Sequence, residues 1–198
     1  MRRGAWVLLA TCAVTLMLVV GLPGCWNPFS PGHGDGGKPP NISRKDPDKL
    51  LEFFATKYED KDAEGYAECL DEDYEFVFDQ KDYDDAGVTP DKPYWGRTED
   101  VAHTTKMFNA AEVKAILMDL KQKDMDWTSD TFATPTGGTV EGFYCLIKPS
   151  IDVTIEGKPG EEPVTKQVRN SQLYVAAIPD RHYAGLWTIL KITETLIQ

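Results

Sequence analysis

The feature that most constrains the fold is an alternation of apolar and polar residues between positions 143 and 156, which is interrupted at Pro149. Odd positions hold the apolar residues Phe143, Cys145, Ile147, Ile151, Val153 and Ile155, and even positions hold the polar residues Lys148, Asp152, Thr154 and Glu156. Successive side chains of a strand face opposite sides of the sheet, so this period of two predicts a long strand with one buried face. Pro149 cannot donate a ladder hydrogen bond, and we expect a bulge or bend there.

The residues on either side of this segment extend the prediction to an antiparallel sheet. Residues 157–163 have the composition of a hairpin loop, and residues 164–178 are expected to form the returning strand. The apolar residues of this strand change from even to odd positions along its length, which a bulge near Asn170 would explain. Further strands are expected at 74–78, 113–121 and 186–193, with a polar loop at 79–93.

Helices are expected to precede most of these strands. Asp46 is a good N-cap and Pro47 suits the first helical position, and an apolar stripe follows at Leu50, Leu51, Phe54 and Tyr58. Asp62 is expected to cap a second, short helix, and Thr98 a third whose inner face carries Val101, Thr105 and Phe108. Three N-terminal helices followed by a curved antiparallel sheet constitute an α+β fold.

The N-terminus carries a processing signal. Arg2 and Arg3 precede an apolar run over residues 5–22, which ends in Leu-Pro-Gly-Cys at positions 22–25. The pattern predicts a lipoprotein signal peptide (residues 1–24), cleaved before Cys25, whose sulfur is then lipidated. The alternative is a retained transmembrane helix, because the run is close to the shortest that crosses a core about 30 Å thick. Several acyl chains on Cys25 would give stable anchoring.

The signal implies an address and a tether. We expect a protein of the cell envelope, held by lipid on the periplasmic side. Trp26 follows the cysteine, where no aspartate suggests inner-membrane retention, so by resemblance to well-studied lipoproteins the outer membrane is favoured. Residues 25–45 are rich in Pro and Gly and predict a flexible linker, which leaves residues 46–198 for one domain.

Charge and cysteine usage exclude several classes. The net charge is −11, and it becomes −13 once Arg2 and Arg3 are removed, which argues against nucleic-acid binding. Residues 46–85 hold sixteen Asp or Glu and four Lys; they could attract a basic partner or a cation, although solvated helix faces are favoured. Neither metal-ligand spacing nor a cofactor motif is present, so no metal and no cofactor are expected. Cys69 and Cys145 could form a disulfide or be two buried thiols.

From about residue 46 to the C-terminus, the chain resembles the nuclear transport factor 2-like superfamily, including its SnoaL-like members. The resemblance rests on the first helix, on YEDKD at 58–62, LDEDY at 70–74, WGRT at 95–98 and WTI at 187–189. It implies a cone in which a strongly curved, mixed or antiparallel sheet wraps around a long helix, with a pocket between them. It also implies frequent dimerisation through the sheet.

The same resemblance allows one catalytic test. The steroid isomerase branch needs a tyrosine oxyanion donor and a carboxylate base, which fall here at Phe54 and Phe78. Phenylalanine can serve in neither role. Tyr58 and Asp79 lie close by in sequence, and His103 could act as a general base, although a partly exposed helix histidine is its simpler interpretation.

Two sets of candidate site residues follow. The ligand-binding set is Trp95, His103, Tyr144, Arg169 and Trp187, with ordinary core packing as the alternative; the catalytic set, kept for a second hypothesis, is Tyr58, Asp79 and His103. We favour a non-catalytic domain that binds a small hydrophobic molecule or a protein partner. The alternatives are an isomerase, dehydratase or cyclase, and a structural homodimer in which Tyr144 and Tyr174 lie in the subunit contact.

Overall fold

The computed structural model describes residues 44–135, 137–157, 161–168 and 171–196. Cys25, most of the predicted linker, Arg169 and Asn170 lie outside the described residues. The helices are α1 (Pro47–Glu59), α2 (Ala63–Glu68), α3 (Tyr83–Ala86) and α4 (Arg97–Phe108), with a 3-10 turn at Gln80–Asp82. The strands are β1 (Leu70–Val77), β2 (Tyr94–Gly96), β3 (Val113–Asp119), β4 (Lys123–Ala133), β5 (Thr139–Ile147), β6 (Ser150–Ile155), β7 (Val164–Val168), β8 (Ser171–Pro179) and β9 (Trp187–Leu196). None of the described helices is both long and apolar enough to cross a membrane.

The strands form two sheets, and the fold is α+β as predicted. The larger sheet has the order β2-β1-β9-β8-β5-β4, and the smaller has the order β3-β6-β7. The larger sheet is mixed, because β1 and β9 run parallel while its other neighbouring strands are antiparallel. Helices α1, α2 and α4 pack with β1, β3 and β9 around the main hydrophobic core.

Pro149 separates two strands where a single interrupted strand was predicted. The chain leaves the larger sheet at Ile147 and enters the smaller one at Ser150, so the expected bend is a change of sheet. The returning chain makes the reverse change, because β7 pairs with β6 and β8 pairs with β5. The switch in apolar parity between 164 and 178 therefore also comes from a change of sheet, because β7 belongs to the smaller sheet and β8 to the larger one.

The helix starts follow local capping rules, with one correction. The Asp46 carboxylate accepts a hydrogen bond from Lys49 N at 2.8 Å, and Asp62 accepts one from Gly65 N at 2.9 Å, as predicted for the first two helices. The third predicted helix begins earlier than Thr98, because Gly96 is the N-cap and its N–H donates to the Glu99 carboxylate at 3.0 Å.

The buried face of α4 also differs from the prediction. It consists of Asp100, Thr104 and Phe108, whereas Val101 only packs against the core margin and Thr105 is half-buried. Phe108 was predicted correctly, but the other two positions of the predicted face were one residue too late. The error arose because Asp100, a charged residue, was expected on the solvent side.

Strand β4 was not predicted. It is one of the two edge strands of the larger sheet as the structure describes it, and it pairs with β5. Its sequence, KDMDWTSDTFA, carries few apolar residues, and most of its side chains are exposed or half-buried. Its alternation is short, because Met125 and Trp127 alternate with polar neighbours only up to Thr128 before a polar run follows, and this is too little to identify an eleven-residue strand in sequence.

The two cysteines that remain after the predicted cleavage are separate buried thiols. Cys69 and Cys145 are both unbonded and 0% exposed, and the Cys69 thiol donates to Gly65 O at 3.3 Å. Burial raises the pKa of the Cys145 thiol to about 12. Of the two alternatives, a disulfide or two buried thiols, the structure shows the second.

The packed part of the chain includes Arg44, which the sequence analysis assigned to the linker. Its side chain is buried, with 1% of its surface exposed. One guanidinium nitrogen donates to Glu68 O at 2.6 Å, to the Asp180 carboxylate at 3.0 Å and to Trp187 O at 3.2 Å. Arg44 thus joins the end of α2 to the turn between β8 and β9.

Candidate functional site

The core contains a carboxyl group that the sequence analysis did not single out. Asp100, on α4, is only 6% exposed. Its Oδ2 accepts a short hydrogen bond from the hydroxyl of Tyr66, a buried residue of α2. A buried carboxyl held by a phenol is an unusual element in an otherwise apolar core, because a buried charge is normally paired with a cation.

A second phenol lies next to this pair. Tyr74, on β1, is 1% exposed, and its hydroxyl is close enough to Asp100 to lower the pKa of that carboxyl. By hydrogen-bond geometry, however, the Tyr74 hydroxyl has no partner among the described residues. Leaving a buried hydroxyl unsatisfied costs about 1–3 kcal/mol. We refer to Tyr66, Tyr74 and Asp100 as the acidic triad.

Burial controls the titration of the acidic triad. Desolvation raises the pKa of Asp100 to about 6, while the hydroxyls of Tyr66 and Tyr74 act in the opposite direction by interacting with the ionised form. None of the described basic side chains contributes to this shift. Burial, together with the charge of Asp100, raises the pKa of both tyrosines well above the usual 10. The phenols therefore remain hydrogen-bond donors at neutral pH.

Aromatic rings surround the triad on the side of the helices. Tyr58 lies 5.0 Å from Phe108, 5.6 Å from Tyr66 and 6.1 Å from Phe54, measured between ring centroids. Burial and Asp100 also raise the pKa of the Tyr58 phenol above its usual range. These contacts make the surroundings of Asp100 apolar, which strengthens every electrostatic interaction there.

A second group of aromatic residues is only half-buried. Phe76 and Phe78 are 4.8 Å apart, and Phe78 lies 4.7 Å from Trp95. Trp95 stacks on His103 at 4.1 Å with an interplanar angle of 8°, while its indole N–H donates to Ala86 O at 3.1 Å. Burial lowers the pKa of His103, with Lys106 acting in the same direction. We refer to Phe76, Phe78, Trp95 and His103 as the outer aromatic cluster.

The core face of the larger sheet becomes more exposed towards the outer aromatic cluster. Along β1, Tyr74 is 1% exposed, whereas Phe76 on the same face is half-buried. Along β9, Ile192 is 5% exposed, whereas Glu194 on the same face is half-buried. Burial raises the pKa of Glu194, and the neighbouring carboxylates Asp82 and Asp79 raise it further. The core is therefore closed near the start of these two strands and more open at their ends.

The three residues of the predicted catalytic set lie apart. Tyr58 packs among the aromatic rings around the triad, and His103 stacks on Trp95. Asp79 caps the 3-10 turn by accepting from Lys81 N at 3.1 Å. The hydrogen bonds of the described residues do not join any two of these three side chains. The core does hold a buried, hydrogen-bonded pair, Tyr66 and Asp100, but neither residue belongs to the predicted catalytic set.

The predicted ligand-binding set is likewise divided. The structure brings Trp95 and His103 together, and Arg169 lies outside the described residues. Tyr144 stacks on Tyr174 at 5.1 Å, on the sheet face opposite the core residue Cys145. Trp187 packs against Phe143 at 5.5 Å, at the start of β9.

The acidic stretch at 46–85 has partners elsewhere in the chain. Arg181 forms ion pairs with three consecutive carboxylates of β1, namely Asp71 at 3.2 Å, Glu72 at 3.0 Å and Asp73 at 2.9 Å. Lys191 pairs with Glu75 at 3.4 Å, and Lys123 pairs with Asp48. Among the described residues, no group of three or more His, Cys, Asp or Glu is placed to hold a metal ion. Part of the local charge is therefore balanced within the fold.

The acidic triad was missed because its members are distant in sequence. In sequence, Asp100 looks like a first-turn carboxylate that favours the helix dipole, and Tyr66 looks like a core residue. Their hydrogen bond joins residues 34 positions apart. The one usable signal was the i, i+4, i+8 spacing of Asp100, Thr104 and Phe108, which places a carboxylate on the buried stripe.

Comparisons with known proteins give matches to solved structures alone. Neither a family model nor a curated protein matches the chain. The chain is similar to a protein provisionally named scytalone dehydratase from Novosphingobium aromaticivorans (10% identity, 76% of this chain and 81% of that one, TM-score 0.49). It is also similar to a ketosteroid isomerase-like protein from Erwinia carotovora (11%, 80% and 98%, 0.46) and to an NTF2-like protein of unknown function from Pseudomonas putida (10%, 75% and 82%, 0.44).

Proposed function

We propose that this chain is a lipid-anchored protein of the cell envelope, on the periplasmic side of the outer membrane, whose domain binds a small and largely apolar molecule. The Leu-Pro-Gly-Cys sequence at 22–25, after its apolar run, supports the anchor. The acidic triad and the outer aromatic cluster support the binding role. We also propose that the domain is a nuclear transport factor 2-like cone, with its helices against a strongly curved sheet.

The observation that carries the binding role is the unsatisfied hydroxyl of Tyr74 beside Asp100. A core built for stability alone gains nothing from a carboxyl with a raised pKa and a buried phenol whose hydroxyl, although near that carboxyl, makes no hydrogen bond of good geometry among the described residues. Such groups are typical of sites whose remaining hydrogen-bond partner belongs to a ligand. A ligand that offers one polar oxygen or nitrogen to Tyr74 would complete the triad.

The aromatic surroundings define the rest of the ligand. Phe54, Tyr58 and Phe108 border the triad, and the outer aromatic cluster borders the more open end of the same core face. Binding sites of this kind combine apolar walls with very few polar groups, which orient the ligand. We therefore expect a hydrophobic molecule with one hydrogen-bonding group at its buried end.

The test is native mass spectrometry of the protein purified gently from its host, in wild-type form and as three variants. Tyr74→Phe and Asp100→Asn remove the two groups that would hold the ligand, and Tyr174→Phe removes a phenol from the opposite face of the sheet. We expect a reproducible added mass in the wild type and in Tyr174→Phe, and its loss in the other two. A bare wild type after incubation with host lipid extract, or one mass retained by all variants, would contradict the proposal.

A second function, acid–base catalysis on the bound molecule, is favoured by the pKa of Asp100. This pKa, about 6, is close to neutral pH, and a carboxyl with a pKa near the working pH both accepts and donates protons efficiently. The recovered ligand, incubated with fresh wild-type protein and with Asp100→Asn, distinguishes the two functions. Conversion by the wild type alone would indicate an enzyme, whereas an unchanged ligand in both samples supports binding.

We also propose that a second copy packs on the outer face of the larger sheet. Tyr144 and Tyr174 stack there and are half-buried. The native mass of the wild type gives the subunit number directly, and Tyr144→Asp combined with Tyr174→Asp is expected to convert a dimer to a monomer. A monomeric wild type at micromolar concentration would contradict this contact.

A further inference from the structure

We propose that the anchored domain turns its Arg44 end towards the membrane and the open end of its core face away from it. Any ligand of the acidic triad would then enter from the aqueous compartment and not from the bilayer. The inference rests on the proposed lipid anchor at Cys25, and it adds a direction to the proposed binding site.

Arg44 determines where the tether leaves the domain. The guanidinium is buried and is held by Glu68 O, the Asp180 carboxylate and Trp187 O at 2.6–3.2 Å. The chain that leads back to the lipid therefore departs from the end of α2 and the start of β9. This attachment is strong, because a buried arginine with an ion pair does not detach without a large loss of stability.

The topology then sets the distance from the tether to the open end. Strands β1 and β9 are parallel, and both begin next to Arg44, after Glu68 and at Trp187. Leu70 pairs with Ile189 and Val77 with Thr193, four residues further along β9, so the two ends of β1 are separated by about 13 Å along the strand direction, at about 3.3 Å per residue. The half-buried Phe78 and Glu194 lie at the far ends of these strands. The open end and the tether are thus at opposite ends of the same pair of strands.

The charge distribution favours the same orientation. The segment that follows β1 at the open end carries Asp79, Asp82, Asp84 and Asp85, and Lys81 is its one basic residue. The surface of an anionic bilayer repels such a segment within a Debye length. At the Arg44 end, the carboxylates at the start of β1 are paired with Arg181.

The tether is long enough for the domain to adopt this orientation. Residues 26–43 lie between the lipidated cysteine and Arg44, and a chain of that length reaches about 65 Å at full extension. The bilayer therefore does not force one face of the domain against itself. The attachment point and the acidic segment decide which end is nearer.

Energy transfer from two single labels to the membrane surface tests the orientation. The complete lipidated protein is placed in vesicles of zwitterionic and anionic phospholipid that contain an acceptor-labelled lipid headgroup. The donor is attached either at Tyr183→Cys, in the exposed turn beside Asp180, or at Asp84→Cys, an exposed position at the open end. Cys69 and Cys145 are 0% exposed and should not be labelled in the folded protein.

We expect transfer from position 183 to be at least about twofold greater than from position 84, because the two labels lie beyond opposite ends of the paired part of β1 and β9, which is itself about 13 Å long. The difference should decrease in high salt, which screens the acidic segment. Equal transfer from the two positions, or greater transfer from position 84, would overturn the orientation and point to a ligand taken from the bilayer.

Failure of the anchor gives a different result. The mass of the N-terminal peptide shows whether Cys25 carries acyl chains, and a chain that begins at residue 26, without the apolar run and the cysteine, is the control that should remain in solution. A wild type without acyl chains would reject both the anchor and this orientation. A lipidated wild type that binds vesicles with the reverse pattern of transfer would reject the orientation alone.

Discussion

Replacing Arg44 by alanine is expected to destabilise the domain severely, although the residue belongs to a segment with the composition of a linker. The side chains of Arg44 and Asp180 are 2% and 8% exposed, and their ion pair measures 3.0 Å. Removing one member of a buried pair costs about 3–5 kcal/mol, because the other charge stays buried without a partner. Asp180 keeps the N–H groups of His182 and Tyr183 at 2.8 and 3.0 Å, so we expect a value near the lower end.

Guanidinium unfolding, followed by tryptophan fluorescence, measures this loss. A destabilisation of about 3 kcal/mol lowers the midpoint of thermal unfolding by about 6–12 °C in a domain of this size. Lys45→Ala is the matched control, because Lys45 is adjacent and exposed, and its replacement should change the free energy of unfolding by less than about 0.5 kcal/mol.

The coupling between the two charges is measurable as well. In a cycle with Asp180→Asn, which retains an acceptor for the two N–H groups, the double variant should lose clearly less stability than the sum of the single variants. If Arg44→Ala were no less stable than Lys45→Ala, or if the two losses simply added, the buried pair would not be what holds the start of the domain.

Three further outcomes are expected. The pKa of Asp100 is about 6 in the folded protein against a usual value near 4, so the folded state binds this proton more tightly than the unfolded state does. Ionising Asp100 therefore lowers the free energy of unfolding. The loss is absent below pH 4, grows between pH 4 and pH 6, and is complete above pH 6. Asp100→Asn should therefore gain up to about 3 kcal/mol relative to wild type between pH 4 and pH 6.5, and a difference independent of pH would contradict the shift. Gly142→Ala should lose at least about 1–3 kcal/mol, because its Cβ would lie 2.4 Å from a carbonyl oxygen of the next strand, whereas Gly138→Ala, with its nearest contact at 3.5 Å, should be close to neutral in the same unfolding assay. Cys69 and Cys145 should react with a water-soluble thiol reagent only after unfolding, and rapid labelling of the native protein would show that the core opens.

Local chemistry predicted the elements that depend on neighbouring residues. Asp46 and Asp62 cap α1 and α2 because a cap needs only a side chain three residues from its N–H donor. Pro149 interrupts a ladder wherever it stands, so the break was evident, but whether it produced a bulge or a change of sheet depended on the pairing of β6 with β3. That pairing involves residues far apart in the chain, which periodicity does not detect.

The candidate site was harder to predict than the fold for the same reason. His103 and Asp79 have conspicuous side chains, yet one stacks on Trp95 and the other caps a turn. Asp100 is inconspicuous in sequence, and its importance comes from the burial that three separate elements impose on it. The carboxylates of β1 show the same limit, because their partner Arg181 follows them by more than a hundred residues.

The position of β9 has a consequence for how this protein is made. The last strand of the chain lies in the middle of the larger sheet, between β1 and β8, and it supplies the parallel partner of the first strand. As the polypeptide emerges from the ribosome, β1 lacks this central neighbour until residues 187–196 have been synthesised. Until then β1 and β2 cannot join the rest of the larger sheet, and a truncation that removes β9 would divide that sheet into the pieces β2-β1 and β8-β5-β4.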